Sequence, residues 1–330
     1  MLALVEVSPV FWVAFILGVL ALLALDLGVL NRNSHEIRFK EALIWTGVWS
    51  ALAVVFGLVL IPWMGSKISV EFFTGYFIEL SLSMDNVFVI ALIFAYFKVP
   101  RMYQHRVLFW GVLGALVMRG GMIWMGVELI NRFDALLYVF GLILLFTGVK
   151  MLLSKEGELD PEQSFIVRLS RRLLPISPQF DGAKFTTVIQ GRRILTPLSL
   201  VLLVVETSDL VFAVDSIPAI FGVTRNPFIV FTSNVFAILG LRSLYSVLAG
   251  AIGFFRYLKI GLSVVLLFIG VKMLIDPHDH AAKWYQYDIP DGLSLLVVVG
   301  IIGTSILASA VSAKRSGPGH GHSHGHGSKH

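Results

Sequence analysis

Leu144-Leu-Phe-Thr-Gly-Val-Lys-Met-Leu152 returns as Leu266-Leu-Phe-Ile-Gly-Val-Lys-Met-Leu274, identical at eight of nine positions. Working outward, Asp85-Asn-Val-Phe88 aligns with Asp209-Leu-Val-Phe212, Arg119 with Arg242, and Arg101 with Arg225. All these offsets fall between 122 and 124 residues. The chain is therefore read as two copies of one unit. Each copy holds three apolar stretches, and an odd number of membrane crossings puts the copies in opposite orientations. Inverted repeats of this kind build secondary transporters, whose sites lie at the repeat interface near the bilayer midplane.

The composition agrees. Of 330 residues, 56% are hydrophobic and 14% charged, against roughly 25% charged in soluble domains. The expected fold is an all-α polytopic membrane protein. Nine spans of about 20 residues each are expected near 10–30, 43–63, 73–97, 107–128, 134–153, 196–221, 228–250, 257–275 and 292–312. Residues 1–72 then hold the first two spans, 73–153 the first repeat and 154–195 a linking loop. The second repeat occupies 196–276, a ninth span 277–315, and a His/Gly-rich tail 316–330. A surface helix around Phe165–Leu174 is compatible with the bases of the loop. No signal peptide is expected, because no basic region precedes the first apolar run.

Alternate loops differ sharply in charge. One set carries seventeen Lys and Arg residues, the other only Lys67, Arg132, Arg225 and Lys283. The positive-inside rule makes the first set cytoplasmic, with the N-terminus outside and the C-terminus inside. The net charge of +5 thus reflects topology and gives no sign of a nucleic-acid partner. There is no cysteine. Disulfides, thiolate metal sites and thiol redox chemistry are excluded, and hard cations are favoured over soft ones.

Two spans carry acids near their centres: Glu79-Leu-Ser-Leu-Ser-Met-Asp85-Asn86 and Glu206-Thr-Ser-Asp209-Leu-Val-Phe-Ala-Val-Asp215-Ser216. Each charge at the bilayer centre costs at least about 2.5–3.5 kcal/mol, so these groups require a compensating partner. Asp85 and Asp209 fall near the midplane. Glu79 and Asp215 each lie six residues, about 9 Å, towards the outer face. Glu206 and Asp209 share a helix face. With Asp26, six intramembrane acids face two intramembrane arginines, Arg119 and Arg242. Pairing with arginine accounts for two acids at most; the others need a cation, protons or water.

The two acidic stretches resemble the paired signatures of the TerC family, in its Alx-like branch. The first span fits as well, with Leu25-Asp26-Leu-Gly-Val-Leu-Asn31-Arg32, His35-Glu36-Ile and Phe39-Lys40-Glu41-Ala42. The resemblance covers about residues 10–312. It implies a manganese exporter of the bacterial inner membrane, with Mn²⁺ as transported substrate and no organic cofactor. It carries the family's acidic positions onto Glu79, Asp85, Asn86, Glu206, Asp209, Asp215 and Asp26. The expected partners are the divalent ion, protons and the bilayer; protein partners are not indicated.

Two readings stand for Asp85 and Asp209: opposed ligands to one divalent cation, or counter-charges to Arg119 and Arg242. Asn86 adds a carboxamide oxygen, and Ser81, Ser83, Thr207, Ser208 and Ser216 add hydroxyls unless these bond back to their own helices. Glu79 and Asp215 suit an outer ion station or a proton site. Glu206 suits entry from the cytoplasm, and Asp26 the ion path or an interfacial base. Arg119 and Arg242 read as counter-charges that hold the acids apart when the ion leaves, or as charges that repel cations and prevent a leak. Pro218 either unwinds the sixth span or marks its end. The tail imidazoles from His320 to His330 favour softer metals than Mn²⁺; His278 and His280 read as loop polarity or a weak outer metal site. The expected activity is alternating-access export coupled to protons, without enzymatic chemistry. The rival class is a membrane-assembly or exoenzyme-metalation scaffold with no transport of its own. An intramembrane aspartyl protease lacks its Gly-x-Gly-Asp element here, and no phosphate-binding loop supports ATP-driven pumping.

Overall fold

In lipid every backbone amide must bond within the chain, so uninterrupted apolar sequence becomes helix. A computed structural model of the protein describes residues 7–25, 39–133, 135–153, 175–248, 255–276, 287 and 289–315. The helices are α1 (Pro9–Leu25), α2 (Phe39–Met64), α3 (Ser66–Tyr96), α4 (Arg101–Arg132) and α5 (Ala135–Leu153). Strands β1 (Thr186–Ile189) and β2 (Arg192–Leu195) follow, then α6 (Pro197–Phe221), α7 (Pro227–Leu239), α8 (Leu241–Leu248), α9 (Phe255–Ile275) and α10 (Asp291–Arg315). Eight segments are long and apolar enough to cross a membrane, with α7 and α8 acting as one, and α1 is a shorter apolar helix. The protein is a multi-pass α-helical membrane protein. The expected 228–250 span is broken at Gly240, which ends α7. Pro218 leaves α6 helical for three more residues and so stands at its end rather than unwinding it.

Proline opens α6 and α7 at Pro197 and Pro227, where a missing amide hydrogen goes unused. Asn226 caps α7 by accepting from the Phe228 amide at 3.0 Å. Helix α3 lies at the centre, packed on α2, α6, α7, α8, α9 and α10. Helices α4 and α6 pack together, and α5 pairs with α9 over most of its length.

Glycine makes that last pairing close. A methyl group on Gly270 would lie 3.0 Å from the Gly141 carbonyl oxygen, and one on Gly148 would lie 3.1 Å from the Ser263 carbonyl. Position 141 thus meets 270 while 148 meets 263, so the helices run antiparallel. Because backbone faces backbone, no rotamer change relieves added bulk. Gly270→Ala should cost about 1–3 kcal/mol, read as a lower unfolding midpoint in detergent; an unchanged midpoint would show the pair to be loosely packed.

The apolar core is divided in depth. One cluster includes Val87, Ile90 and Phe94 of α3, Val107 and Val112 of α4, and Val201 and Val204 of α6. A second includes Ile78 and Leu82 of α3, Ile123 and Ile130 of α4, and Ala213 and Ile217 of α6. Along the chain, Ser83, Asp85 and Asn86 of α3, Arg119 of α4, and Glu206 and Asp209 of α6 fall between the residues of the two clusters, with Glu79 at the edge of the second.

The segment before α6, expected to be a plain connecting loop, contains the β1–β2 hairpin. At its base, Asp181 accepts from Thr187 Oγ1 at 2.9 Å and pairs with Lys184 at 3.2 Å. The Thr187 hydroxyl first, and Lys184 second, hold this carboxyl below the usual carboxylate range. Its contribution is present above the unfolded value of about 3.9 and is lost as pH falls through the lowered folded value. Amide exchange at Thr187, corrected for its intrinsic rate, should hold steady from neutrality to about pH 4 and quicken below.

Candidate functional site

Helices α3, α4, α6 and α7 each place a polar side chain in the layer between the two apolar clusters. On α3, Glu79, Ser83 and Asn86 recur at helical spacing on one face. On α6, Glu206, Asp209 and Ser216 do the same. Arg119 of α4 lies between the two faces.

Arg119 Nη1 donates to Glu79 Oε2 at 2.7 Å, and Nη2 and Nε donate to Asp209 Oδ1 and Oδ2 at 2.9 and 3.1 Å. Nη1 also reaches Ser216 Oγ at 3.3 Å. The Asp209 contact is a two-pronged guanidinium–carboxylate pair. Asn234 of α7 donates to Glu79 Oε1 at 2.7 Å, and Asn86 Nδ2 donates to Asp209 Oδ1 at 3.1 Å. Glu79 is 0% exposed and Arg119 2%, whereas Asp209 is 16% exposed. The Glu79 end is therefore closed, and Asp209 is the carboxylate an entering group would meet.

One guanidinium faces two carboxylates, so the triad is short of positive charge. Two further acids lie on the same helices, Glu206 next to Asp209 on α6 and Asp85 on α3, facing α9. Glu206 rests against the α4 backbone at Gly114, where any Cβ would collide with its carboxylate. Its strongest neighbouring charge is Asp209. Asp85 is partly buried, and its charged neighbour is Lys259 of α9. Neither acid has a hydrogen-bonded or ion-paired partner among the described residues. Asn86 Oδ1 and Ser83 Oγ are buried on the same α3 face and make no hydrogen bond there. Among the described residues no three acids or histidines converge as a ready-made metal cage.

The remaining residues fall elsewhere. Asp215 points to α5, where Thr147 Oγ1 donates to it at 2.9 Å and Lys150 lies within electrostatic reach. Ser81, Thr207 and Ser208 bond back to the carbonyls of Phe77, Leu203 and Val204. Arg242 is buried on α8. Asp26, His278, His280, the Phe165–Leu174 stretch and the tail lie outside the described residues.

Three participants escaped the sequence reading. Asn234 stands out only as an amide in the apolar run Val230–Leu239. Gly114 carries no signal before its neighbour is known. Thr147 does: it is the one position at which the nonapeptide and its copy disagree.

A model described as "Integral membrane protein TerC family" matches residues 64–317. A membrane protein of Myxococcus xanthus designated STKORF319 is 50% identical over 309 residues, covering 94% of each chain. A protein of Escherichia coli K12 named "Putative membrane-bound redox modulator Alx" is 45% identical over 312 residues, covering 92% of this chain and 95% of that one. A membrane protein of Rickettsia bellii is 39% identical over 300 residues, with 91% and 97% covered. No solved structure matches the chain.

Proposed function

Since the chain belongs to the TerC family of integral membrane proteins, in its Alx-like branch, we propose that it exports a divalent cation, Mn²⁺ foremost, in exchange for protons. The observation that carries this reading is the buried Glu79–Arg119–Asp209 triad. It is a site with more negative than positive charge, in which the guanidinium of Arg119 is a tethered cation.

The entering ion takes Asp209 from Arg119, with Glu206 and the orphaned Asn86 Oδ1 as further oxygens of the kind Mn²⁺ accepts, and Asp85 turns in from Lys259 to join them. Arg119 stays on Glu79, which Asn234 holds in place. As the ion departs, Arg119 closes again on Asp209, and protons taken up by the surplus carboxylates balance the charge. Export of a divalent ion works against about 2.3 kcal/mol per charge per 100 mV, and inward proton movement supplies the opposing drive. Asp215 with Thr147 forms a station nearer the outer face. The excess of bases in alternate loops supports a cytoplasmic C-terminus and an external N-terminus.

Alternating access follows from an inverted repeat of α3–α5 against α6–α9. Two contacts support it. Gly148 meets Ser263 and Leu267, while Gly270 meets Gly141 and Leu145. Subtracting 122 from the numbers on α9 turns one contact into the other, as a two-fold axis between the copies requires. The redox role in the printed name of the Escherichia coli relative belongs to that protein; with no cysteine, this chain has no thiol through which to exert one.

The test is flux in sealed vesicles containing purified protein, with Mn²⁺ and competing ions at set pH gradients. Mn²⁺ movement coupled to protons, and abolished by Asp85→Asn and by Asp209→Asn, is the expected result. Correctly folded protein that moves no divalent ion under any gradient would sink the proposal in favour of an assembly or metalation scaffold.

A further inference from the structure

The β1–β2 hairpin is built to stand in one orientation. Its register pairs Val188 with Arg193 and Ile189 with Arg192. Gln190 and Gly191 form the turn with φ of 51° and 75°, the positive pair that matches strand twist in a two-residue hairpin. Directly opposed residues share a face, so each face of the tip carries one aliphatic side chain and one arginine. Val188 is 63% exposed and Ile189 43%; both arginines are exposed.

The base is tied to two membrane helices. The Thr196 amide donates to the Phe185 carbonyl at 2.9 Å, and the Ser199 hydroxyl donates to the same oxygen. Thr196 Oγ1 donates to the Lys184 carbonyl at 2.7 Å. Arg106 of α4 stacks over the Phe185 ring at 5.1 Å, and Tyr103 meets Phe180 at 6.3 Å. Arg106 lies five residues inside α4 and Ser199 two residues inside α6. The base of the hairpin is thus held at the N-terminal ends of α4 and α6.

Four-residue strands reach about 13 Å, and the headgroup layer on each side of a bilayer is about 5–8 Å deep. Rising from those helix ends and tilted towards the bilayer, a hairpin of that length keeps its tip at headgroup level. An aliphatic pair exposed to water on a short two-stranded ribbon invites aggregation. At a lipid surface the same pair enters the interface while the arginines reach phosphate oxygens, which guanidinium binds in bidentate fashion. The hairpin also belongs to a base-rich loop, which the positive-inside rule puts on the same side as Lys98, Arg101 and Arg106.

We propose that the hairpin tip is a docking surface for anionic phospholipid headgroups, with Val188 and Ile189 in the interface and Arg192 and Arg193 on phosphates. The proposal is independent of transport. A nitroxide on Val188→Cys, the sole thiol of the full chain, reports its surroundings through relaxation by oxygen and by a water-soluble nickel chelate. The protein is placed in nanodiscs of phosphatidylcholine alone, or of phosphatidylcholine mixed with phosphatidylglycerol. The label should be shielded from nickel and open to oxygen in the mixed bilayer. R192Q/R193Q should weaken that partitioning about tenfold or more. Equal nickel access in both bilayers would overturn the proposal. So would shielding that persists in lipid-free detergent, which would mean a contact within the protein. Shielding that appears only when soluble cell extract is added would replace the lipid with a protein partner.

Discussion

Arg119→Met should lower folding stability by about 3–5 kcal/mol, the loss expected when one member of a buried ion group is removed. The reason is not the strength of the pairs alone. Glu79 is fully enclosed, and without the guanidinium its charge keeps only the Asn234 amide. Adding Glu79→Gln and Asp209→Asn to the same chain should return most of the loss, because neutral groups of similar shape remain where unpaired charges stood. The comparison needs unfolding midpoints in mixed micelles for the single and triple variants. A single variant within about 0.5 kcal/mol of wild type, the size of an ordinary surface change, would remove Arg119 from the structural account.

Asp209→Asn separates transport from folding. The change converts a triad with one surplus negative charge into the balanced pair Glu79–Arg119 at 2.7 Å, so the helices keep their packing. It also removes the most exposed carboxylate of the triad, the one proposed to change partner when the ion arrives. Mn²⁺ flux should fall at least about a hundredfold, equivalent to roughly 2.7 kcal/mol, while thermal unfolding shifts little. A folded Asp209→Asn protein with wild-type flux would place the ion elsewhere.

The spans were legible because their signal is length and apolarity alone. The expected 73–97 and 107–128 segments became α3, Ser66–Tyr96, and α4, Arg101–Arg132. Both helices exceed their apolar windows, since polar turns such as Ser66-Lys67 and Arg101-Met102 stay helical beyond the hydrocarbon edge. The acids of the layer were legible as costly charges, but their partners were not. Reading by repeat set Asp85 against Arg119 and Asp209 against Arg242; the structure pairs Arg119 with Asp209 and Glu79. That choice depends on helix rotation and tilt, which apolar spacing specifies weakly when most faces of a span are apolar. The hairpin was missed because Thr186-Thr-Val-Ile189 and Arg192-Arg-Ile-Leu195 are short and sit among bases. Gln190-Gly191 between two β-branched stretches was its one turn signal.

The triad also has an order in time. Synthesis delivers Glu79 to the membrane first, Arg119 forty residues later, and Asp209 ninety residues after that. The hairpin of α3 followed by α4, inserted before α6 is made, thus already contains an acid and the base that neutralises it. Neither has to wait in hydrocarbon for the second half of the protein, at about 2.5–3.5 kcal/mol for each unmatched charge. Asp209 then arrives on α6 at a guanidinium with nitrogen donors still unfilled. The last ionic bond to form during biogenesis is therefore the one proposed to open in every transport cycle, and the first to form is the one that holds throughout.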